Sequence, residues 1–226
     1  MENIVQLEPN EARILGVLVE KELTVPDQYP LSLNATTSGC NQKSNRNPVM
    51  SMSEIEVQMQ LDKLVVAGLV GRVHPANSRV ERFRHNFREH YKLDSTKAAI
   101  MAELMMRGPQ SRGDLRTRVN RMTPVESLDI LAANLNPLIE SGFVKRLPPL
   151  AGSRAERFTQ CLAPDAHPAE EAASSATAQR PPVSAAGSGA LEKLELRVAT
   201  LERQLASLAE KLGEPLDCQP EESPQP

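Results

Sequence analysis

The sequence predicts a mainly α, mixed α+β fold in which one unit of three helices and a hairpin occurs twice. The first observation is a repeated hexapeptide, SRVERF at 78–83 and SRAERF at 153–158. The second is that the residues before each copy also align, so that Gly68 matches Gly142. The third is that helical spacing of apolar residues gives way to short strand-like runs in each copy. Together these observations indicate an internal repeat.

The first copy contains three predicted helices. The spacing of apolar residues predicts helices at about 9–22 and 32–41. A third helix is expected to begin at a capping box, Ser51-x-x-Glu54, and to end at Gly68. Two short strands then flank the turn sequence HPAN, which predicts a two-stranded hairpin.

The second copy repeats this order. Helices are predicted at about 95–107 and 111–120, and a capping box, Thr123-Pro124-x-Glu126, predicts the start of a third helix. A glycine again ends that helix, and PPLAG is the turn of the second hairpin.

Three helices followed by a hairpin are the elements of a winged helix. The sequence therefore predicts two tandem winged-helix domains, the first at 7–92 and the second at 93–162. Beyond them, residues 163–190 are rich in Ala, Pro, Ser and Gly and predict a disordered, flexible linker.

The tail carries a leucine pattern of its own. From Leu191 to Leu212, Leu and one Val recur with alternating spacings of three and four residues, which predicts a short coiled-coil helix. Self-association into a dimer or a higher oligomer is the expected use of this helix, and packing against the body is the alternative. Residues 213–226 predict a disordered acidic tail.

Composition and charge indicate the cellular compartment of the protein. The 226 residues have a net charge of −3, divided into +3 for residues 1–162 and −6 for the rest. No apolar run is long enough for a membrane helix, and the start lacks the pattern of a signal peptide. Three separated cysteines favour reduced thiols over a disulfide framework. We therefore expect a cytoplasmic protein without a membrane segment.

Basic residues concentrate in the segments that a winged helix presents to DNA. The third helix commonly enters the major groove, and phosphate contacts require Arg and Lys. The predicted contacts to double-stranded DNA are Lys43, Arg46, Arg72, Arg79, Arg82, Arg84, Arg112, Arg116, Arg118, Arg146, Arg154 and Arg157. For the segment that holds Lys43 and Arg46, the alternative is that its Asn and Ser residues only shape a turn.

The third helices favour a different partner. Glu54 and Glu56 in the first copy, and Glu126 and Asp129 in the second, suit the dipole at a helix N-terminus but repel phosphates. Two functions therefore remain open. The first is DNA binding, as in a transcriptional regulator, and the second is an adaptor that binds proteins without DNA.

The repeated hexapeptide is either inherited architecture or a copied binding site. Alternation along a strand places Phe83 on one face and Arg82 on the other. Phe83 and Phe158 would then anchor each hairpin, and Glu81 and Glu156 would pair with a nearby Arg. Arg82 and Arg157, which face away from the Phe, are where each hairpin would touch DNA.

Catalytic and metal-binding patterns are absent from the sequence. It contains no glycine-rich phosphate loop, nucleophile elbow or H-E-x-x-H motif. His85 and His90 have no Cys-x-x-Cys to complete a zinc site, and Cys40 is expected to be a small buried residue. We therefore expect a non-enzymatic protein with no catalytic residue, cofactor or metal.

Several segments resemble the YceH-like family of bacterial proteins, which is built on the domain of unknown function 480. In the first half these are EARILGVLVEKELTVPDQYPLSLN, GCNQKSNRNPVM and SEIEVQMQLDKLV, and in the second half LRTRVNRM and GSRAERF. The resemblance covers residues 7–162, although Phe158 stands where the family often carries Tyr. It implies a tandem winged-helix fold in a bacterial cytoplasm, with no cofactor, and it supplies neither an activity nor site residues.

Overall fold

The computed structural model describes residues 4–75, 80–150 and 152–167, and within them the fold is α+β, as expected. The helices are α1 (Pro9–Thr24), α2 (Leu33–Cys40), α3 (Glu54–Val66), α4 (Phe87–His90), α5 (Ser95–Arg107), α6 (Arg112–Val119) and α7 (Leu128–Glu140). The strands are β1 (Leu31–Ser32), β2 (Val70–Val73), β3 (Arg82–His85), β4 (Gln110–Ser111), β5 (Val144–Leu147) and β6 (Arg157–Gln160). The predicted coiled coil and acidic tail lie outside the described residues.

Each half contains a three-stranded antiparallel sheet rather than the two-stranded hairpin that the sequence predicts. The strand orders are β1-β3-β2 and β4-β6-β5, so the central strand follows the hairpin turn. The additional strands β1 and β4 have two residues each, which is too short to give a periodic signal. Ser32 pairs with Arg82, and Ser111 pairs with Arg157. The two sheets are therefore built in the same way.

The ends of α3 and α7 confirm the predicted glycine caps. Gly68 and Gly142 have φ values of 74° and 81°, in the left-handed region that glycine tolerates. The N–H of the residue after each glycine donates to a carbonyl five residues back, at 2.9 Å in both halves. This is the Schellman arrangement that turns each chain from its helix into the hairpin.

The starts of α3 and α7 lie later than the sequence predicts. Ser53 caps α3 and Ser127 caps α7, so the capping boxes expected at Ser51 and Thr123 are wrong. In the first half the Asn41 side chain exchanges two hydrogen bonds of 2.8 Å with the Met52 backbone and holds this residue before the helix. The Asn120 side chain similarly accepts from the N–H of Val125 at 2.8 Å. These tertiary contacts delay both helices.

Replacing the observed cap should cost more than replacing the predicted one. Ser53 accepts from the N–H of Glu56, and the Glu56 carboxylate accepts from the Ser53 N–H at 2.7 Å. We expect Ser53→Ala to lower the free energy of unfolding by about 1 kcal/mol, and Ser51→Ala to leave it within about 0.5 kcal/mol. Urea unfolding of the two variants measures the difference, and equal losses would contradict the assigned start of α3.

The two halves share one hydrophobic core. α1 packs against α5, and at their crossing a Cβ added to Gly16 would lie 2.9 Å from Met106 Cγ. Two backbone hydrogen bonds also join the halves, from Leu7 N–H to Leu162 O at 2.7 Å and from Asn47 N–H to Met106 O at 2.9 Å. The two predicted domains therefore form a single packed unit in the described residues.

This packed unit continues beyond the predicted domain boundary. Residues 163–167 were assigned to the linker, but Ala163 and Ala166 are buried, and a 3₁₀ turn spans Pro164–Ala166. The His167 imidazole lies 2.8 Å from Asn47 O. The linker prediction is wrong for these five residues, because small alanines that resemble linker composition fill space in the core.

Candidate nucleic-acid interface

The predicted DNA contacts differ widely in exposure. Exposed residues among them are Lys43, Arg72, Arg84, Arg112, Arg146 and Arg154. Half-buried residues are Arg82, Arg116 and Arg118, and buried residues are Arg46 and Arg157. Arg79 lies outside the described residues. Burial therefore removes part of the predicted set from the surface.

Arg46 is a structural residue in the interior. Its side chain is fully buried, and its guanidinium donates to the Glu20 carboxylate at 2.6 Å and 3.3 Å. It also donates to the carbonyls of Gly39 and Asn45. The two bonds to Glu20 join the loop after α2 to α1, and all four bonds occupy the guanidinium within the protein, so it is not presented to an outside ligand.

Arg82 and Arg157 do not extend from their hairpins as the sequence predicts. The Arg82 guanidinium donates to Pro30 O at 2.7 Å, next to β1. Arg157 is 8% exposed and lies on β6 beside β4. The third strand of each sheet accounts for this burial. It pairs with the central strand and so encloses the arginine on the side that a two-stranded hairpin would leave open.

Acidic neighbours engage other arginines of the set. Arg72 lies 2.5 Å from the Asp62 carboxylate and 3.6 Å from that of Glu81. In the second half, Arg112 lies 3.9 Å from the Glu156 carboxylate. The expected pairing of Glu81 and Glu156 with a nearby Arg is therefore confirmed. Because these pairs are exposed, phosphate can compete for their arginines.

The second half carries three exposed arginines of the predicted set, and the first half carries two. Arg112 opens α6, and its guanidinium lies 5.5 Å from the centre of the Phe158 ring. Arg146 belongs to β5, and Arg154 lies in the loop between β5 and β6. Since three strands span only about 10 Å, these elements lie close together. We call Arg112, Arg146 and Arg154 the second-half arginine set.

The exposed residues of the third helices are acidic or apolar, except for Lys63 on α3 and Asn136 on α7. Along α3, Ile55 is 75% exposed, Met59 57% and Val66 90%. The only basic residue of α3, Lys63, lies 3.1 Å from the Glu8 carboxylate, and α7 has no Lys or Arg. This apolar stripe is not among the sequence-based predictions, although its i, i+4, i+11 spacing is a readable signal.

The α3 N-terminus keeps its negative charge. Hydrogen bonds from the Ser53 N–H and hydroxyl to the Glu56 carboxylate lower the pKa of this exposed group. Glu54 is exposed beside it. An ionised carboxylate at this position opposes the approach of a phosphate backbone to α3.

Buried titratable groups do not provide a nucleophile. Cys40 is fully buried, and burial raises the pKa of its thiol to about 12, so the thiol remains protonated. Burial also lowers the pKa of His85, against the opposing effect of Glu22, whose carboxylate lies 2.9 Å from the imidazole. Within the described residues, no group of three His, Cys, Asp or Glu side chains is placed to hold a metal ion.

Comparison with known proteins identifies the family. The family model described as "Protein of unknown function, DUF480" matches residues 7–162. The chain belongs to the DUF480 family. This match confirms the resemblance seen in the sequence, and the DUF480 segment ends just before the buried turn at 164–166.

Relatives of the DUF480 chain occur in several bacteria. The UPF0502 protein of Shewanella halifaxensis is 41% identical over 218 residues, which cover 94% of this chain and 99% of that protein. The UPF0502 protein of Solibacter usitatus is 45% identical, covering 74% of this chain and 81% of that protein. That of Geotalea uraniireducens is 46% identical, covering 68% and 70% respectively.

Among the described residues of the DUF480 chain, no helix combines the length and apolar character that crossing a bilayer requires.

Proposed function

We propose that this chain is a non-enzymatic, tandem winged-helix protein of the bacterial cytoplasm that binds double-stranded DNA, mainly through its second half. The order of elements supports the winged-helix assignment, because in each half three helices precede a hairpin whose return strand is central. The second-half arginine set carries the DNA proposal. Its three arginines are exposed on α6, on β5 and in the loop between β5 and β6.

The proposed contacts are to the phosphate backbone rather than to bases. Major-groove readout requires donors and acceptors on the helix that enters the groove. The exposed residues of α3 include Ile55, Met59 and Glu54, and those of α7 include Leu128 and Ile130. Such helices provide little for base edges, whereas arginines on a hairpin and on α6 suit phosphates. A role in transcription regulation would then require specificity from another source, such as DNA shape.

Removing three charges from each half separately tests this proposal. We expect Arg112→Gln, Arg146→Gln and Arg154→Gln together to weaken duplex binding about tenfold or more, and to a similar degree on unrelated sequences. The matched control replaces Lys43, Lys63 and Arg84 of the first half by Gln, and it should weaken duplex binding less. Fluorescence anisotropy with two unrelated labelled duplexes measures both. Equal losses, or a loss confined to one sequence, would contradict the proposal.

A second candidate function is that of a protein-binding adaptor, and the apolar stripe of α3 favours it. Ile55, Met59 and Val66 would contact apolar residues of a partner, and Glu54 and Glu56 would favour basic residues around them. A partner captured from a bacterial lysate should then be lost with Met59→Glu and retained with the second-half triple variant. The opposite result would argue against the adaptor function.

Self-association through residues 191–212 remains a sequence-based prediction, since these residues lie outside the described part. Deleting them should lower the molar mass that light scattering measures, because the leucine repeat is the proposed seam between chains. As a control, deleting residues 213–226 should leave the oligomeric state unchanged. An unaltered mass after the first deletion would contradict the coiled-coil proposal.

A further inference from the structure

A polar cavity of about 420 Å³ lies mainly in the second half, and Asn47 of the first half also lines it. Its walls come from the end of α5, from β4, from α6 and from the loop that precedes β6. Three guanidinium-bearing residues line it, each from a different element: Arg107, Arg118 and Arg157. Arginines from three separate elements therefore line one cavity.

Neighbouring groups hold two of these arginines in place. The Arg118 guanidinium donates to the side-chain carbonyl of Gln110 at 2.7 Å, and Gln110 is itself only 4% exposed. Arg107 lies 3.0 Å from the buried Glu103 carboxylate, which supports it from inside. It also donates to the side-chain carbonyl of Asn45, in the first half. The side chains are thus oriented before a ligand arrives, which reduces the entropy cost of binding.

The charges around the cavity favour an anion. Among the described residues that line it, Asp114 is the only acidic one, and its carboxylate accepts from the Ser111 hydroxyl at 2.6 Å. Glu103 lies behind Arg107 and is also 3.9 Å from Arg121. Three arginines and one carboxylate therefore line the described part of the cavity, and the Ser111 and Ser153 hydroxyls add polar groups at its wall.

We propose that this cavity binds a small, free oxyanion of the phosphate class, either inorganic phosphate or a phosphorylated metabolite. Guanidinium groups bind such anions through paired hydrogen bonds, and the volume falls within the range of small-molecule sites. The site uses Arg107, Arg118 and Arg157, none of which belongs to the second-half arginine set, and its wall residues Ser111 and Ser153 directly precede Arg112 and Arg154. It gives a role to two arginines that the sequence placed at a DNA surface.

Isothermal titration calorimetry on the full chain tests the site, with inorganic phosphate and pyrophosphate as probes at constant ionic strength. We expect wild type to bind at least one probe, Arg118→Gln to weaken that binding about tenfold or more, and Arg118→Lys to weaken it less. Lys63→Gln removes the same charge from α3, outside the cavity, and should bind like wild type. Arg118→Lys keeps the charge and serves as the second variant if Arg118→Gln does not fold.

Two results would overturn the proposal. One is the absence of heat with both probes up to about 10 mM, a range that includes weak anion sites. The other is equal affinity in wild type, Arg118→Gln and Arg118→Lys. A competition titration then distinguishes a free anion from DNA phosphates. The proposal expects a saturating duplex to leave phosphate affinity unchanged, and stoichiometric displacement of phosphate by duplex would assign the cavity to DNA instead.

Discussion

Replacing Arg46 by methionine is expected to lower the free energy of unfolding by about 3–5 kcal/mol, because the buried Glu20 carboxylate loses its guanidinium partner and keeps the longer, 3.5 Å contact to Lys21. The Arg46 guanidinium donates two hydrogen bonds to the Glu20 carboxylate, at 2.6 Å and 3.3 Å. Glu20 is only 8% exposed, so water replaces these bonds poorly. Burial, followed by charge repulsion from Arg46, lowers the pKa of the neighbouring Arg13 to about 10. Relief of that repulsion should place the loss near the lower end of the range.

Two controls separate the buried pair from a general charge effect. Lys63→Met breaks the exposed pair with Glu8, and we expect it to cost less than about 1 kcal/mol. The double variant Glu20→Leu, Arg46→Met removes both charges and should recover much of the loss, since apolar side chains replace buried pairs well. Chemical denaturation at neutral pH gives all three values. A loss for Arg46→Met as small as that for Lys63→Met would show that Glu20 remains solvated.

Phe158→Ala should have the second large effect, lowering the free energy of unfolding by about 3–5 kcal/mol. Phe158 is fully buried on the central strand of its sheet, where it pairs with Gln110 and Arg146. Its counterpart Phe83 is 1% exposed on β3, so Phe83→Ala should cost a similar amount. Val80→Ala, at a site 55% exposed, is the control and should cost less than about 0.5 kcal/mol.

The number of unfolding transitions gives a second test of these variants. Because α1 and α5 form one core, both Phe variants should unfold in a single transition that is lowered as a whole. Separate transitions, with only the mutated half destabilised, would mean that the halves are independent domains. Thermal unfolding followed by circular dichroism and by calorimetry distinguishes these two results.

The sequence predicted the repeated order of elements well, because that order depends on local signals. Helical periodicity and the glycines at 68 and 142 require no knowledge of distant contacts. The starts of α3 and α7 depend instead on Asn41 and Asn120, whose side chains hold the preceding loops. A capping motif at the expected spacing cannot show that a distant amide delays the helix.

The candidate contacts were harder to predict for a related reason. An arginine in the sequence indicates a positive charge, but it does not indicate which group that charge will pair with. Arg46 looked like a loop residue available to phosphate, and its distance from Glu20 along the chain concealed the ion pair. The two-residue strands β1 and β4 similarly concealed the enclosure of Arg82 and Arg157. Arginines that no ion pair or added strand encloses, such as Arg154, are exposed on the surface as the sequence predicts.

Salt dependence of duplex binding tests the central proposal most directly. Three arginines that neutralise three phosphates should give a plot of log affinity against log salt with a slope of about −3, because each contact releases condensed counterions. The second-half triple variant should reduce that slope to near zero, whereas the first-half control should keep most of it. An affinity independent of salt, or the same slope in wild type and the second-half variant, would contradict DNA binding through the second half.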